Sequence, residues 1–309
     1  MVPEELQRAI ESLIESSDFK SLKNARAMLS EEYRKGAASS FNNPTHLLSY
    51  LITRLPATFG ACSAVFQEIR RRFPDFSPQS MLDLGAGPGT ATWAALDTFG
   101  PMQPHLIERE RAAIDIGKKL GGAHWNWQQA SLEQPFDIPS VDLAVFSYVF
   151  AEVQPYSLID CLWEKQIPVI AIIEPGTPKG FERIRAIRLY AIQKGAHLIA
   201  PCPHAHACPM PLNDWCHFSA RIPRTRLHRL LKEGTLGHED EKYSYVVFSR
   251  HIPKCIQGRV IRSPQKNSGF VKLPLCASDG QLKQITVTRS DKNSYRAARD
   301  AEWGSAWPM

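Results

Sequence analysis

Three cysteines fall within fifteen positions, Cys202, Cys208 and Cys216, in the stretch CPHAHACPMPLNDWCH, residues 202–217. His204, His206 and His217 lie among them, and Pro201, Pro203, Pro209 and Pro211 interrupt the chain. Each proline lacks a backbone donor and fixes its own φ, so neither helix nor strand runs through the stretch. An ordered loop so rich in soft ligands points to a metal. The spacing is wide, with five residues between the first two cysteines and seven between the next two. Zinc ribbons and fingers bring two ligands within about two to four residues, and no cysteine pair here does so. A mixed Cys/His zinc site remains the alternative, and so do buried, unligated thiols. Thiolate-rich sites with four cysteines suit iron–sulfur clusters, and a proline-rich loop can wrap a bulky cluster. Cys255 and Cys276 lie downstream as candidates for a fourth ligand.

A second constellation is Asp83-Leu84-Gly85-Ala86-Gly87-Pro88-Gly89-Thr90. It follows the apolar run MLDL and precedes a helical pattern with Trp93, Leu96 and Phe99. Glycines at every second position let the backbone turn sharply and let a ligand approach at the carboxyl edge of a parallel sheet. The spacing differs from the dinucleotide fingerprint. The turn resembles motif I of class I S-adenosylmethionine-dependent methyltransferases. That likeness implies that Asp83 and the backbone of Gly85, Gly87 and Gly89 hold the cofactor's methionine end. Glu108, nineteen residues past Gly89 at the end of the next strand, would then accept hydrogen bonds from both ribose hydroxyls. Gln129 and Ala130 would lie by the adenine. The fourth strand ends Phe146-Ser147-Tyr148-Val149-Phe150. Ser147 is a further cofactor-site candidate, and Tyr148 could stack on a base. No amide or carboxylate accompanies it to orient an amine, so no catalytic residue is assigned.

The elements that must position these residues read as follows. Leu6, Ile10, Leu13 and Ile14 recur at helical spacing. A second helix runs from about residue 20 to 35 and stops at Gly36, and Asn42-Asn43-Pro44 is a turn. A third helical segment is interrupted by Pro56, and a fourth covers about 57–72. Strands at 80–84, 104–108, 125–129, 141–148 and 168–174 alternate with helices, which argues for a parallel, doubly wound sheet. A helix at 179–194, the cysteine loop and a basic helix at 223–233 follow. Residues 243–249 read as a strand, and runs at 260–262, 270–276 and 284–289 as a small β unit. The tail from Ser294 reads as a short helix. The organisation expected is a helical cap (1–75), a methyltransferase-like Rossmann domain (76–200), and a metal-clasped C-terminal part (201–309). Cys62 and Cys161 fall in helices as small core residues.

The chain has 309 residues, is 43% hydrophobic and carries a net charge of +6. From Arg221 to the end, 17 Lys+Arg face 8 Asp+Glu, or +9, against 20 and 23, or −3, before it. Such asymmetry suggests a polyanionic partner for the C-terminal part, through Arg221, Arg224, Arg226, Arg229 and Lys232 in particular. The apolar runs are too short to span a bilayer. Seven cysteines, an odd number, favour metal or catalysis over disulfides in a reducing compartment. The acidic N-terminus, with Glu4, Glu5, Glu11 and Glu15, is unlike a transit peptide, so a bacterial cytoplasm is the expected location.

Several words of the sequence together resemble the methyltransferase-like protein seventeen family. They are CPH, CPM and DWCHF in the loop, and Leu273-Pro274-Leu275-Cys276 downstream. Arg54-Leu55-Pro56-Ala57-Thr58, Glu174-Pro175-Gly176-Thr177-Pro178 and Tyr295-Arg296…Trp303-Gly304 agree. The resemblance covers about residues 45–305. It implies a class I methyltransferase fold, S-adenosylmethionine binding and a 4Fe–4S cluster on Cys202, Cys208, Cys216 and Cys276, with Cys255 lacking the matching context. It implies a small-ribosomal-subunit assembly factor that works beside ribosomal RNA, expected as a monomer. An active rRNA methyltransferase and a redox-sensing regulator of translation are the alternative functions.

Overall fold

The structure is a computed structural model, and it describes residues 2–15, 17–35, 44–232 and 234–308. Contacts divide the chain into two compact units. The first comprises residues 1–67, 77–173 and 220–241, and the second 68–76, 174–219 and 242–309.

In chain order the elements are α1 (Glu4–Ile14), α2 (Phe19–Lys35), α3 (Pro44–Thr53), α4 (Leu55–Arg72), β1 (Ser80–Leu84), α5 (Thr90–Phe99), β2 (Gln103–Glu108) and α6 (Arg111–Lys119). Next come β3 (Asn126–Gln129), β4 (Leu143–Ser147), α7 (Tyr156–Glu164), β5 (Val169–Pro175), α8 (Pro178–Gln193), β6 (His197–Ala200) and β7 (Phe218–Pro223). The chain ends with α9 (Arg226–Lys232), β8 (His238–Ser249), β9 (Gly258–Val260), β10 (Gln265–Lys266), β11 (Phe270–Ala277), β12 (Leu282–Thr288), α10 (Lys292–Asp300) and β13 (Ala306–Trp307).

The first unit is built on a parallel sheet. Its strands are ordered β3-β2-β1-β4-β5, with Leu82 opposite His105, Met81 opposite Leu143 and Leu143 opposite Val169. Met81 to Leu84 and Leu143 to Phe146 are buried without alternation, as strands covered on both faces must be. The order reverses direction between β1 and β4, and such a switch point opens a crevice at the carboxyl ends of the strands. The doubly wound α/β core expected from the sequence is therefore present. Pro56 does not interrupt a helix. It sits in the first turn of α4, where its missing N–H has no intrahelical partner to lose. The expected stop at Gly36, the Asn42-Asn43 turn and Glu233 lie outside the described residues. Among the described residues no helix is long and apolar enough to cross a membrane.

The second unit holds α8, the cysteine loop and an antiparallel sheet ordered β10-β11-β9-β13, with β12 on the other side of β11. The small β unit expected from sequence is thus observed. β6, which pairs with β8, and β7 were not anticipated, because each lies against a proline-rich flank that hides a short strand. Alternation along β11 sorts its side chains. Val271, Leu273 and Leu275 enter a core with Val260, Val287, Ala298 and Trp307. Cys276 takes the opposite parity and packs instead near Phe181, Met210 and Ile261, with Cys208, Trp215 and Cys216.

Arg259 ties this unit together. It is 1% exposed. Its Nε donates to the Pro201 carbonyl at 2.8 Å, Nη1 to the Gly304 carbonyl at 2.8 Å, and Nη2 to Glu68 Oε1 at 2.5 Å. Removing one partner of a buried ion pair strands the other charge and costs about 3–5 kcal/mol. Glu68→Gln is expected to lose stability of that order in urea denaturation. A loss below about 1 kcal/mol would show that Arg259 is satisfied by the two carbonyls alone.

Candidate cofactor and thiol sites

At the carboxyl edge of the parallel sheet, one pocket of the first unit is lined by Gly85, Gly87, Glu108, Ala130, Ser147 and Tyr148, among others. Gly85, Gly87 and Gly89 all have positive φ, at 71°, 55° and 83°. A side chain is strained in that region, and a Cβ on Gly85 would meet Val149 Cγ2 at 2.8 Å. Glu108 is buried, and its carboxylate closes the turn. Oε2 accepts the Gly87 N–H at 2.7 Å and Oε1 the Glu110 N–H at 2.8 Å. Burial pushes its carboxyl up, and those N–H groups pull the other way. A carboxylate has about four lone-pair sites, so acceptor capacity is left for ligand hydroxyls.

Three expected residues stand elsewhere. Asp83 does not line the pocket. Its Oδ2 accepts the Thr92 N–H at 3.1 Å and the Thr92 hydroxyl at 2.8 Å, anchoring the first turn of α5. Gly89 precedes α5 and packs against Trp125. Gln129 donates from Nε2 to the Arg109 carbonyl at 3.2 Å. Sequence reasoning also missed two features at the pocket. Arg109 pairs with Glu152 at 3.0 Å, and both line it. Tyr148 adopts φ 61°, and its hydroxyl donates to Glu241 Oε1 at 3.1 Å, while Arg54 holds both oxygens of Glu241. Glu241 lies too far along the chain for spacing to reveal the contact.

In the second unit, Cys202, Cys208, Cys216 and Cys276 line one pocket together with Arg188 and His204. Cys255 is exposed and stands apart from it. Burial pushes the Cys276 thiol up to about 12, with Cys202 and Cys208 adding to the effect. Burial likewise raises Cys216 far above its usual value, reinforced by the other three thiols. As free groups these would be protonated at neutral pH, and only a bound cation or cluster would hold them as thiolates. Among the described residues no three His, Cys, Asp or Glu groups converge tightly enough for a single metal ion. The sulfurs border a pocket rather than meet at a point, so the geometry by itself does not establish the metal clasp expected of the loop.

The donor set has one feature that bears on what the pocket fits. Arg188 of α8 is 3% exposed. Its Nε donates to Cys202 Sγ at 3.2 Å, and Nη2 to the carbonyls of His204 at 2.7 Å and His206 at 2.8 Å. Among the described residues no carboxylate neutralises it. A buried charge calls for a counter-charge, and a set of thiolates would supply one. His204 Nε2 lies 3.3 Å from Cys276 Sγ, and burial first, then Arg188, lowers its ring to about 4, so it is neutral at pH 7.

Of the five expected phosphate-facing cations of α9 and its flanks, Arg221, Arg224 and Lys232 are neutralised, while Arg226 and Arg229 are exposed. Arg221 makes a two-pronged contact with Asp240 at 2.8 and 3.0 Å. Arg224 and Lys232 both bond Glu239, at 2.9 and 2.7 Å. Burial alone would raise the Glu239 carboxyl, but His228, Lys232 and Arg224 outweigh it and hold it well below the usual range.

Residues 44–308 match the family model described as "Mitochondrial small ribosomal subunit Rsm22". The chain is similar to "Ribosome assembly protein METTL17, mitochondrial" of Homo sapiens, 28% identical over 99% of this chain and 74% of that protein. It is also similar to "Ribosome assembly protein RSM22, mitochondrial" of Saccharomyces cerevisiae, 23% identical over 81% of this chain and 65% of that protein. Among solved structures, the plantazolicin methyltransferase BpumL with S-adenosylhomocysteine aligns over 80% of this chain and 99% of its own, at 13% identity and a TM-score of 0.43. At that score the fold argument rests on the strand order itself. The resemblance read from the loop words is borne out. The bacterial cytoplasmic location is overturned, because the relatives are named as mitochondrial. The acidic N-terminal residues belong to an amphipathic helix that buries Leu6, Ile10 and Ile14, so their charge reflects packing and solvation rather than an address.

Burial raises the Asp83 carboxyl from 3.8 to about 7. Between those values the folded chain holds a proton that the unfolded chain has lost, so Asp83 reduces stability as pH rises from about 4 to 7. Asp83→Asn keeps an acceptor for Thr92 and removes the titration. Thermal midpoints at pH 5 and 7.5 are expected to fall further in the wild type than in the variant. Parallel profiles would show that Asp83 is ionised throughout.

Proposed function

The chain belongs to the Rsm22 family of mitochondrial small ribosomal subunit proteins, and on that footing we propose that it is an assembly factor of the mitochondrial small ribosomal subunit. In this reading its methyltransferase-like sheet retains an S-adenosylmethionine site, Cys202, Cys208, Cys216 and Cys276 hold a 4Fe–4S cluster, and the monomeric protein contacts small-subunit rRNA. The observation that carries the assembly role is the family match over 44–308, together with relatives named as ribosome assembly proteins.

The cofactor reading is supported by the glycine turn and by Glu108, with Ala130 and Ser147 on the same pocket. When bound, S-adenosylmethionine supplies an electrophilic methyl group. The residues around it suit binding better than transfer. Tyr148 is held by Glu241, and Glu152 by Arg109. Neither Phe146–Phe150 nor these committed groups offers a free amide or carboxylate to position an amine. The assembly reading is therefore favoured over the enzyme reading.

The cluster reading is supported by four thiols on one pocket with a buried guanidinium that, among the described residues, no carboxylate pairs with. Such outer contacts orient ligands, and losing one typically costs about 10–100-fold in metal affinity. Iron–sulfur ligation by four cysteines fits this donor set, with zinc the alternative.

Three measurements test the proposal. Deleting the gene in its source cells is expected to lower mitochondrial small-subunit rRNA relative to large-subunit rRNA, and an unchanged ratio would overturn the assembly role. Glu108→Gln is expected to weaken S-adenosylhomocysteine binding about tenfold or more in titration calorimetry, as loss of charged hydrogen bonds implies. Equal binding would place the ribose elsewhere. Arg188→Gln should release iron to a chelator about ten times faster than wild type, and an equal rate would remove Arg188 from the site.

A further inference from the structure

The positive charge of the C-terminal part has to face something. Around α9, Arg221, Arg224 and Lys232 have spent theirs on Glu239 and Asp240, whereas Arg226 and Arg229 stay exposed. Residues 253–309 carry ten Lys+Arg and four Asp+Glu, a balance of +6. Two of those four acids are committed locally. Asp279 pairs with Lys283, and Asp291 caps α10 by accepting the Ser294 N–H at 3.1 Å.

α10 reads KNSYRAARD, and its cations are Lys292, Arg296 and Arg299. At spacings of four and three they fall on one stripe of the helix. All three are exposed. The opposite side is fixed by packing: Ala298 is fully buried in the unit's core, with Tyr295 and Ala297 against it. The helix therefore cannot turn its cations inward. Like charges at this spacing cost a helix a few tenths of a kcal/mol per pair. Among the described residues no carboxylate forms an ion pair with any of the three. Arg289 precedes the helix, with its guanidinium 5.9 Å from the Tyr295 ring centre and Nη2 on the Ser268 carbonyl at 2.8 Å. This holds it beside the stripe with donors left over.

We propose that the Lys292–Arg296–Arg299 stripe, extended by Arg289, is a contact surface for the phosphate backbone of RNA. Three of the four groups are arginines, whose planar forks match phosphate oxygens in pairs. A membrane surface fits less well, because an interfacial helix buries an apolar face in lipid, and the apolar face of α10 is already buried in protein. The proposal rests on the reading of RNA as a partner, and it moves the contact from α9 to α10.

The test uses the full chain and a fluorescein-labelled transcript of mitochondrial small-subunit rRNA, followed by anisotropy across a salt series. Each phosphate contact contributes roughly 0.7 to the slope of log affinity against log salt for a single strand. The variant K292Q/R296Q/R299Q is expected to lower the slope by about 2 and the affinity at least tenfold. R226Q/R229Q on α9 should change both much less. The triple variant's thermal midpoint should match or exceed that of the wild type, since like-charge repulsion is relieved. Four results would overturn the proposal. An unchanged slope in the triple variant, with loss in the α9 variant, leaves RNA as partner but refutes the surface. A clear drop in the midpoint makes the stripe structural. Stripe-dependent binding to cardiolipin vesicles with no RNA binding assigns it to lipid. No RNA binding by the wild type removes the RNA reading itself.

Discussion

A guanidinium buried among sulfurs and carbonyls is the constraint on which the second unit depends. Residues 201–211 contain four prolines, so the loop can build no ladder to occupy its own carbonyl groups, and buried carbonyls need donors. Two arginines provide them. Arg188 reaches the carbonyls of His204 and His206 and the sulfur of Cys202, and Arg259 reaches the carbonyl of Pro201. Arg259 has Glu68 to balance it. Among the described residues Arg188 has no carboxylate, and that imbalance makes the thiol pocket look like half of a charge pair. The loop's shape and its chemistry then have one cause: the groups that hold the backbone also set the electrostatics around the cysteines.

The first unit is organised by a different constraint. Its parallel strands end together at one edge, and the glycines beyond β1 have conformations that side chains resist. Glu108 spans the turn and ties it to the next loop. The pocket is therefore preformed, with one buried carboxylate that braces the turn and also lines the pocket. Close by, Tyr148, Glu241 and Arg54 form a closed polar set. Groups bound so fully to each other are poor candidates for proton transfer.

Much of the fold was legible because its determinants are local. The run MLDL, the glycine turn and the acid at the end of the next strand are written within 30 residues. The alternation in β11 carries its own information, since every second residue enters the core and Cys276 is left on the other face. What was not legible depends on partners distant in sequence. Arg221, Arg224 and Lys232 read as free charge because Glu239 and Asp240, which neutralise them, lie beyond a turn. Asp83 read as a ligand group, yet its carboxylate turns toward Thr92. Gln129 ends the expected strand, but its side chain returns to the backbone of Arg109. The acids of α1 were misread because amphipathic packing and the lack of a targeting signal look alike in composition.

The central claim is that the four thiols of the second unit hold a cluster and not protons or a single ion. Iron and acid-labile sulfide, quantified on protein purified without oxygen, test it most directly. A 4Fe–4S site predicts about four of each per chain, with both lost when Cys276 is replaced by serine. Protein that is fully folded with neither iron nor sulfide, or that carries one zinc per chain in their place, would contradict the account.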